Sequence, residues 1–269
     1  MIDKIKSYVD KKVDQYEIYY GNIETLNCET DVDKIKFVSE GKTSGFGIRV
    51  VTGKRIGFSS TTNLSNYKEC VDKAIKIAKL NNPDKEFKDL AKPEKYKKII
   101  PYTKKLLSFG VDEFYKLYKN YNDIVMNSKG VKFVNLSYVK SICDITILNS
   151  NGINQSQKLA SNEAGYEIAL GESSIENGCS STDVLDDKHI YECVERLRLL
   201  KNKKPINGEM QLIIYPTNLI DFLQHTFEFS IDAENVQNKK SIFTGKINSK
   251  VADKKLTIID DATKNGLNN

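Results

Sequence analysis

The sequence predicts an α+β fold built on an antiparallel sheet, and three observations support it. Thr52-Gly53-Lys54 and Asn149-Ser150-Asn151-Gly152 are turn signals, each set between runs rich in β-branched and aromatic residues. Apolar stripes at helical spacing lie before, between and after those runs. Turns this short also exclude a doubly wound sheet, because parallel neighbours need long crossovers.

Taken in order, Ile2, Ile5, Val9 and Val13 recur at near-helical spacing and predict an amphipathic opening helix. Tyr16–Asn22, Thr25–Val32 and Lys34–Gly41 follow as three expected strands. Gly45–Val51 and Arg55–Ser60 form the first hairpin around Gly53. Asn63-Leu64-Ser65 offers capping side chains for a helix to about Leu80, whose buried stripe is Val71, Ala74, Ile75 and Ala78. Asn82-Pro83-Asp84 ends it, and the lysine-rich passage to Pro101 is expected as an exposed connector.

A second helix is predicted over about Asp112–Met126, with Phe114, Leu117, Tyr118, Tyr121 and Val125 on its apolar face. Long strands over Val131–Asn149 and Gly152–Leu170 make the second hairpin. Gly171–Asp187, rich in Ser, Gly and Asp, is expected to be a mobile loop, and Asp187–Leu200 a third helix. Lys201–Gly208 is a linker in this reading. A short buried strand, Met210–Tyr215, then precedes a helix from Pro216 to about Phe229, and Ser230 to Asn269 alternates loops with strands.

Composition narrows the class. Hydrophobic residues at 39% and charged residues at 29% suit a folded globular chain. The net charge of +5 is spread along the sequence, and clusters such as Lys201–Lys204 are expected as solvated loop charges, so nucleic acid is a poor partner. No run approaches the ~18 apolar residues of a membrane span, and the start carries no apolar run of signal-peptide type. Five scattered cysteines without a CxxC suggest neither a disulfide framework nor a zinc knuckle, and a cytoplasmic location with reduced thiols is expected.

The chemistry-bearing residues are few. Gly45-Phe46-Gly47 lacks a third glycine and leads into a strand, so it is not a phosphate loop. Two glycines on one face of a strand instead permit close approach by another backbone or a helix. Arg49 is expected to pair structurally with a carboxylate. His189 and Cys193 share a helix face, but a helix-interior cysteine is ordinarily a small buried hydrophobe. Asp221, His225 and Glu228, at i, i+4 and i+7, suit a solvated polar row better than a metal site. Leu219, Ile220, Leu223 and Phe227 supply the stripe such a helix buries.

Two passages, Gly45–Val50 continuing through Gly53–Asn63, and Ser241–Ile247 continuing through Leu256–Asp261, resemble the TldD/PmbA family of zinc peptidase subunits. The resemblance implies an α+β N-terminal domain, here residues 1–205. It also implies the start of a β-rich C-terminal domain, here 206–269. Family members continue past the Asp260-Asp261 passage, so only part of that second domain is expected.

Catalytic family members carry HExxxH on a helix. Two imidazoles five residues apart diverge by about 140° on a regular helix, so that spacing implies a π-type bulge. Counting back from Ser241, the histidine positions fall on Gln224 and Phe229, and His225 takes the place of the glutamate. The resemblance is therefore to the PmbA/TldE type, and no catalytic, cofactor-binding or metal-binding residue is assigned. Zinc is expected only in a TldD-type partner. The implied function is that of a subunit acting on peptides or unfolded proteins beside an HExxxH subunit, or as a self-associated dimer. The alternatives are a gyrase-associated modulator, which salt-sensitive DNA binding would reveal, and a non-enzymatic peptide binder.

Overall fold

The computed structural model describes every residue except Asp33, Lys98, Lys201–Lys203, Ile206, Asp260, Ala262 and 264–269, and describes Thr217 by its backbone alone. The linker expected at Lys201–Gly208 thus lies partly outside the described residues. The chain divides into two compact units, Met1–Lys203 and Lys204–Ala262.

The first unit is a six-stranded antiparallel sheet with helices on one face. Its strands are β1 (Gln15–Asp31), β2 (Lys34–Thr52), β3 (Arg55–Thr61), β4 (Val131–Asn149), β5 (Asn154–Leu170) and β6 (Ser173–Ser181), in the order β3-β2-β1-β4-β5-β6. The helices are α1 (Ile2–Val9), α2 (Tyr67–Leu80), α3 (Lys104–Leu107), α4 (Val111–Met126) and α5 (Lys188–Leu200). The α+β class and its antiparallel sheet are as the sequence predicts.

Strand periodicity explains where the core sits. In β1 the buried apolar side chains are Tyr16, Ile18, Leu26 and Cys28, all on the helix-bearing face. They belong to two separate cores. Tyr16 and Ile18 meet α1 and α2 together with Phe46, Ile48 and Val50. Leu26 and Cys28 meet α3, α4 and α5 together with Leu136, Tyr138 and Tyr166.

Between the two cores the same face carries a polar strip. Each of its four cross-strand pairs joins adjacent strands: Glu24 with Lys42 at 2.6 Å, Asn22 with Ser44 at 2.8 Å, Asp144 with Lys158 at 2.6 Å and Thr146 with Ser156 at 2.8 Å. The opposite face exposes Tyr19, Ile23, Phe58 and Ile147.

The turns behave as their residues dictate. Gly53 and Lys54 both take positive φ, +57° and +61°, which matches the twist of the flanking strands, and Asp14 accepts the Gly53 N–H at 2.7 Å. In the second hairpin the buried Asn149 side chain accepts from Asn151 N and Ile153 N, both at 3.1 Å, and so folds the loop around itself.

Several elements differ from the sequence reading. Tyr16–Asn22 and Thr25–Val32 are one continuous strand, β1, and Lys34–Gly41 runs without a break into Gly45–Val51 as β2. Most of the loop expected over Gly171–Asp187 is β6, paired with β5 from Leu170↔Ser173 to Asn162↔Ser181. The opening helix stops at Val9, and Val13 packs against the α1–α2 core from outside it. The connector after α2 is pinned near its middle: Leu90 is buried, its N–H donates to Gln15 Oε1 at 3.1 Å, and Ala91 O accepts from Asn149 at 2.8 Å.

The second unit, among the described residues, is helical with turns and carries no strand. Met210–Tyr215, expected as a buried strand, is irregular and exposed, with Leu212 at 78% and Ile213 at 92%. The unit contains α6 (Pro216–Leu223), α7 (Phe229–Ile231) and α8 (Ala233–Gln237).

Candidate functional site

Pro216 opens α6 at a position where its missing N–H costs nothing, after Tyr215 in extended conformation. The helix does not run regularly to Phe229. It widens into a π turn over Gln224–Glu228 and then closes into α7. This turn falls on the segment that the family spacing singles out. A π turn brings residue i+5 back over residue i, whereas a regular helix would point the two apart.

Two hydroxyls, one within the widening and one just after it, bond back along the helix. Thr226 Oγ1 donates to Phe222 O at 2.6 Å, and Ser230 Oγ donates to Thr226 O at 2.6 Å. Such bonds to the carbonyl four residues back loosen the helical ladder, which is what a change of register needs.

The helix end is tied to the passage that follows. Ser241 is buried, donates to Ser230 O at 2.5 Å and accepts the Phe243 N–H at 2.9 Å. Phe243 meets Phe227 edge-on at 6.0 Å, and Thr244 Oγ1 reaches Val236 O at 3.3 Å. Asp232 caps α8 by accepting from Asn235 N at 3.0 Å. The π turn, α8 and the Ser241–Thr244 turn are therefore one hydrogen-bonded frame.

The side chains on this frame do not suit zinc. Gln224 is exposed and offers a neutral amide, and Phe229, half exposed, offers no donor atom. His225 occupies the place of the water-activating glutamate. Among the described residues no group of three or more His, Cys, Asp or Glu is placed to hold a metal ion, Asp221, His225 and Glu228 included. The π turn also shifts Glu228 out of the regular spacing that the sequence assigns it. The stripe expected to be buried is only partly so: Leu223 and Phe227 are half-buried, while Leu219 and Ile220 are exposed at 40% and 56%.

The other sequence candidates make packing and pairing contacts. Gly45 and Gly47 are approached by strand β3 and not by a helix: a Cβ at Gly47 would stand 3.0 Å from the Phe58 ring, and one at Gly45 3.0 Å from Thr61 O. Arg49 pairs with Glu17 at 3.6 Å. His189 lies 4.0 Å from Asp186, partly exposed. Cys193 is turned inward, where Asn177 donates to its sulfur at 3.0 Å and Tyr166 Oη lies 3.4 Å away. The π turn was visible in the sequence only through the family spacing, since nothing in Gln224–Glu228 itself signals it.

The chain is thus an antiparallel α+β unit followed by a helix frame that contains a π turn. Residues 16–78 match the PmbA/TldA metallopeptidase domain 1, and residues 207–269 match the PmbA/TldA metallopeptidase C-terminal domain. Both stretches match domains of the PmbA/TldD family.

Among its relatives, a metalloprotease of Methanothermobacter thermautotrophicus is 26% identical over 96% of this chain and 59% of its own length. An uncharacterized protein of Methanocaldococcus jannaschii is 24% identical over 97% of this chain and 62% of its own. The fold is similar to that of TldE from Thermococcus kodakarensis, with a TM-score of 0.76 at 19% identity over 91% of this chain and 58% of that one. The chain thus spans about three-fifths of the length of these relatives. Among the described residues no helix is long and apolar enough to cross a membrane.

Proposed function

We propose that the chain is a PmbA/TldE-like subunit of a TldD/PmbA-type metallopeptidase complex and has no zinc site of its own. The observation that supports this reading is the π turn at Gln224–Glu228, held by Ser241 and lacking both imidazoles. The frame is that of a metal helix, and the donor set is not. On this reading the border between its domains falls at about residues 205/206, the zinc resides in an HExxxH-bearing partner, and the substrates are peptides or unfolded proteins. The contribution of this chain is to enclose the substrate and hold it extended through backbone hydrogen bonds.

The test is to mix the purified chain with an HExxxH-bearing subunit and measure both association and zinc content. Co-elution in size-exclusion chromatography is expected, with zinc following the partner alone. About one zinc per chain in the isolated protein, lost on His225→Ala, would overturn the reading. Failure to associate with any HExxxH subunit would overturn its subunit role.

A further inference from the structure

The polar strip between the two cores of the first unit opens into a cavity of about 320 Å³, lined by Glu24, Leu26, Glu40, Lys42, Lys140 and Ile142 with the backbone of Thr25 and Gly41. That volume lies at the lower end of the range for small-molecule sites, about 300–1,000 Å³. The floor is apolar, formed by the buried Leu26 and the half-buried Ile142.

Its charged walls are not equivalent. Glu24 and Lys42 satisfy each other at 2.6 Å. Lys140 is half-buried, and its one hydrogen-bond partner among the described residues is a neutral acceptor, the carbonyl of Phe109. An ammonium has three donors, so two remain for an anion. Burial pushes the Lys140 pKa down, with Glu40, Glu24 and Glu113 opposing that shift.

Across the sheet, Leu26 pairs with Glu40 on one side and Lys140 on the other. Glu40 has no ion-pair partner among the described residues. Two strand spacings separate Glu40 from Lys140 by about 10 Å at the backbone. The cavity therefore offers a carboxylate, an apolar floor and a partly desolvated ammonium in line. An extended dipeptide sets its two termini about 7 Å apart, which fits between these side chains.

We propose that this cavity binds a dipeptide-sized zwitterion, its ammonium at Glu40, its carboxylate at Lys140 and its apolar side chains over Leu26 and Ile142. An incoming carboxylate would give the buried ammonium the charged partner that burial otherwise denies it. The site lies wholly in the first unit, and none of its lining residues belongs to the π-turn frame.

Titration of the full chain with leucyl-leucine, followed by calorimetry and amide NMR, tests the proposal. Saturable shifts are expected at the amides of Leu26, Gly41 and Ile142 at millimolar ligand. N-acetyl-leucyl-leucinamide should leave them unmoved, and free leucine, too short to span Glu40 and Lys140, should bind at least tenfold more weakly. Lys140→Met should weaken leucyl-leucine at least tenfold. Glu40→Gln, at an exposed position with no packing to lose, should weaken it severalfold and serves if Lys140→Met fails to fold. Absence of a saturable shift, equal binding of the blocked dipeptide or of leucine, or undiminished binding to Glu40→Gln would overturn the proposal.

Discussion

Tyr138 illustrates how a single group can work against the fold that contains it. Its ring stacks on Phe109 at 5.0 Å and tilts against Phe114 at 5.6 Å, fully buried. Its hydroxyl has no hydrogen-bond partner among the described residues, and burial pushes its pKa upward. Removing the oxygen keeps the ring contacts and relieves an unsatisfied polar group, so Tyr138→Phe is expected to raise stability by roughly 1 kcal/mol in urea unfolding. A loss of similar size would show that the hydroxyl has a partner. Gly57 presents the opposite case. A Cβ there would stand 2.1 Å from Ala74 O and 2.5 Å from Ala78 N, so α2 rests on a bare backbone. Gly57→Ala should cost about 2–4 kcal/mol as the helix is pushed from the sheet.

Asp89 sets a pH dependence. Its carboxylate accepts from Asn151 at 2.8 Å and Gln15 at 2.7 Å and faces Lys92 at 3.1 Å. The Asn151 amide, followed by Lys92 and Gln15, holds its pKa down at about 2. The unfolded value is about 3.9. Because the folded value is the lower one, the stabilisation is complete above the unfolded value and is lost as pH falls towards about 2. Between those limits Asp89→Asn should flatten the acid limb of the stability profile. An unchanged slope would show that the clamp on the connector carries no charge dependence.

At the scale of elements, the breaks that the sequence suggests in β1 and β2 have a common cause. Asn22–Glu24 and Gly41–Ser44 lie where both strands cross the polar strip, between one set of helices and the next. Strands are recognised in a sequence by one buried face, and here that face is interrupted while the hydrogen-bond ladder is not. β6 was hidden for a related reason. It is an edge strand made mostly of Ser, Asn and Gly, with Ile175 and Cys179 as its apolar contacts to the core, so its composition is close to that of a loop. By contrast, α2, α4 and α5 were legible because their apolar stripes face continuous cores.

The π turn is an element of the same kind, set by its surroundings more than by its own residues. Ser241 fastens it at one end through bonds to Ser230 O and from Phe243 N. Ser241→Ala leaves both backbone groups without that partner and should destabilise the frame by about 1–2 kcal/mol. Faster amide exchange at Phe243 is the expected readout. Unchanged exchange there would show that the frame stands without Ser241.

On the scale of the whole molecule, the family is carried by two stretches far apart in sequence, residues 16–78 and 207–269. The first builds the β1–β3 layer and α2, whose hairpin and glycine contacts leave a strong local pattern. The second builds a frame that is marked in the sequence only through spacing. Gln224 and Phe229 are ordinary helix residues, and only their distance from Ser241 marks them. That is why the candidate site was visible as a set of positions, while its geometry, the π turn with its two hydroxyl bonds, had to come from the structure.

The central claim is that this chain serves a peptidase without cutting peptides itself. The most direct measurement is cleavage of an unfolded polypeptide by the isolated chain, by an HExxxH-bearing subunit and by the two mixed, each with and without a chelator. The account predicts no cleavage by the isolated chain, and cleavage by the mixture above that of the partner alone, abolished by the chelator. Cleavage by the isolated chain that persists through chelation and through His225→Ala would contradict it.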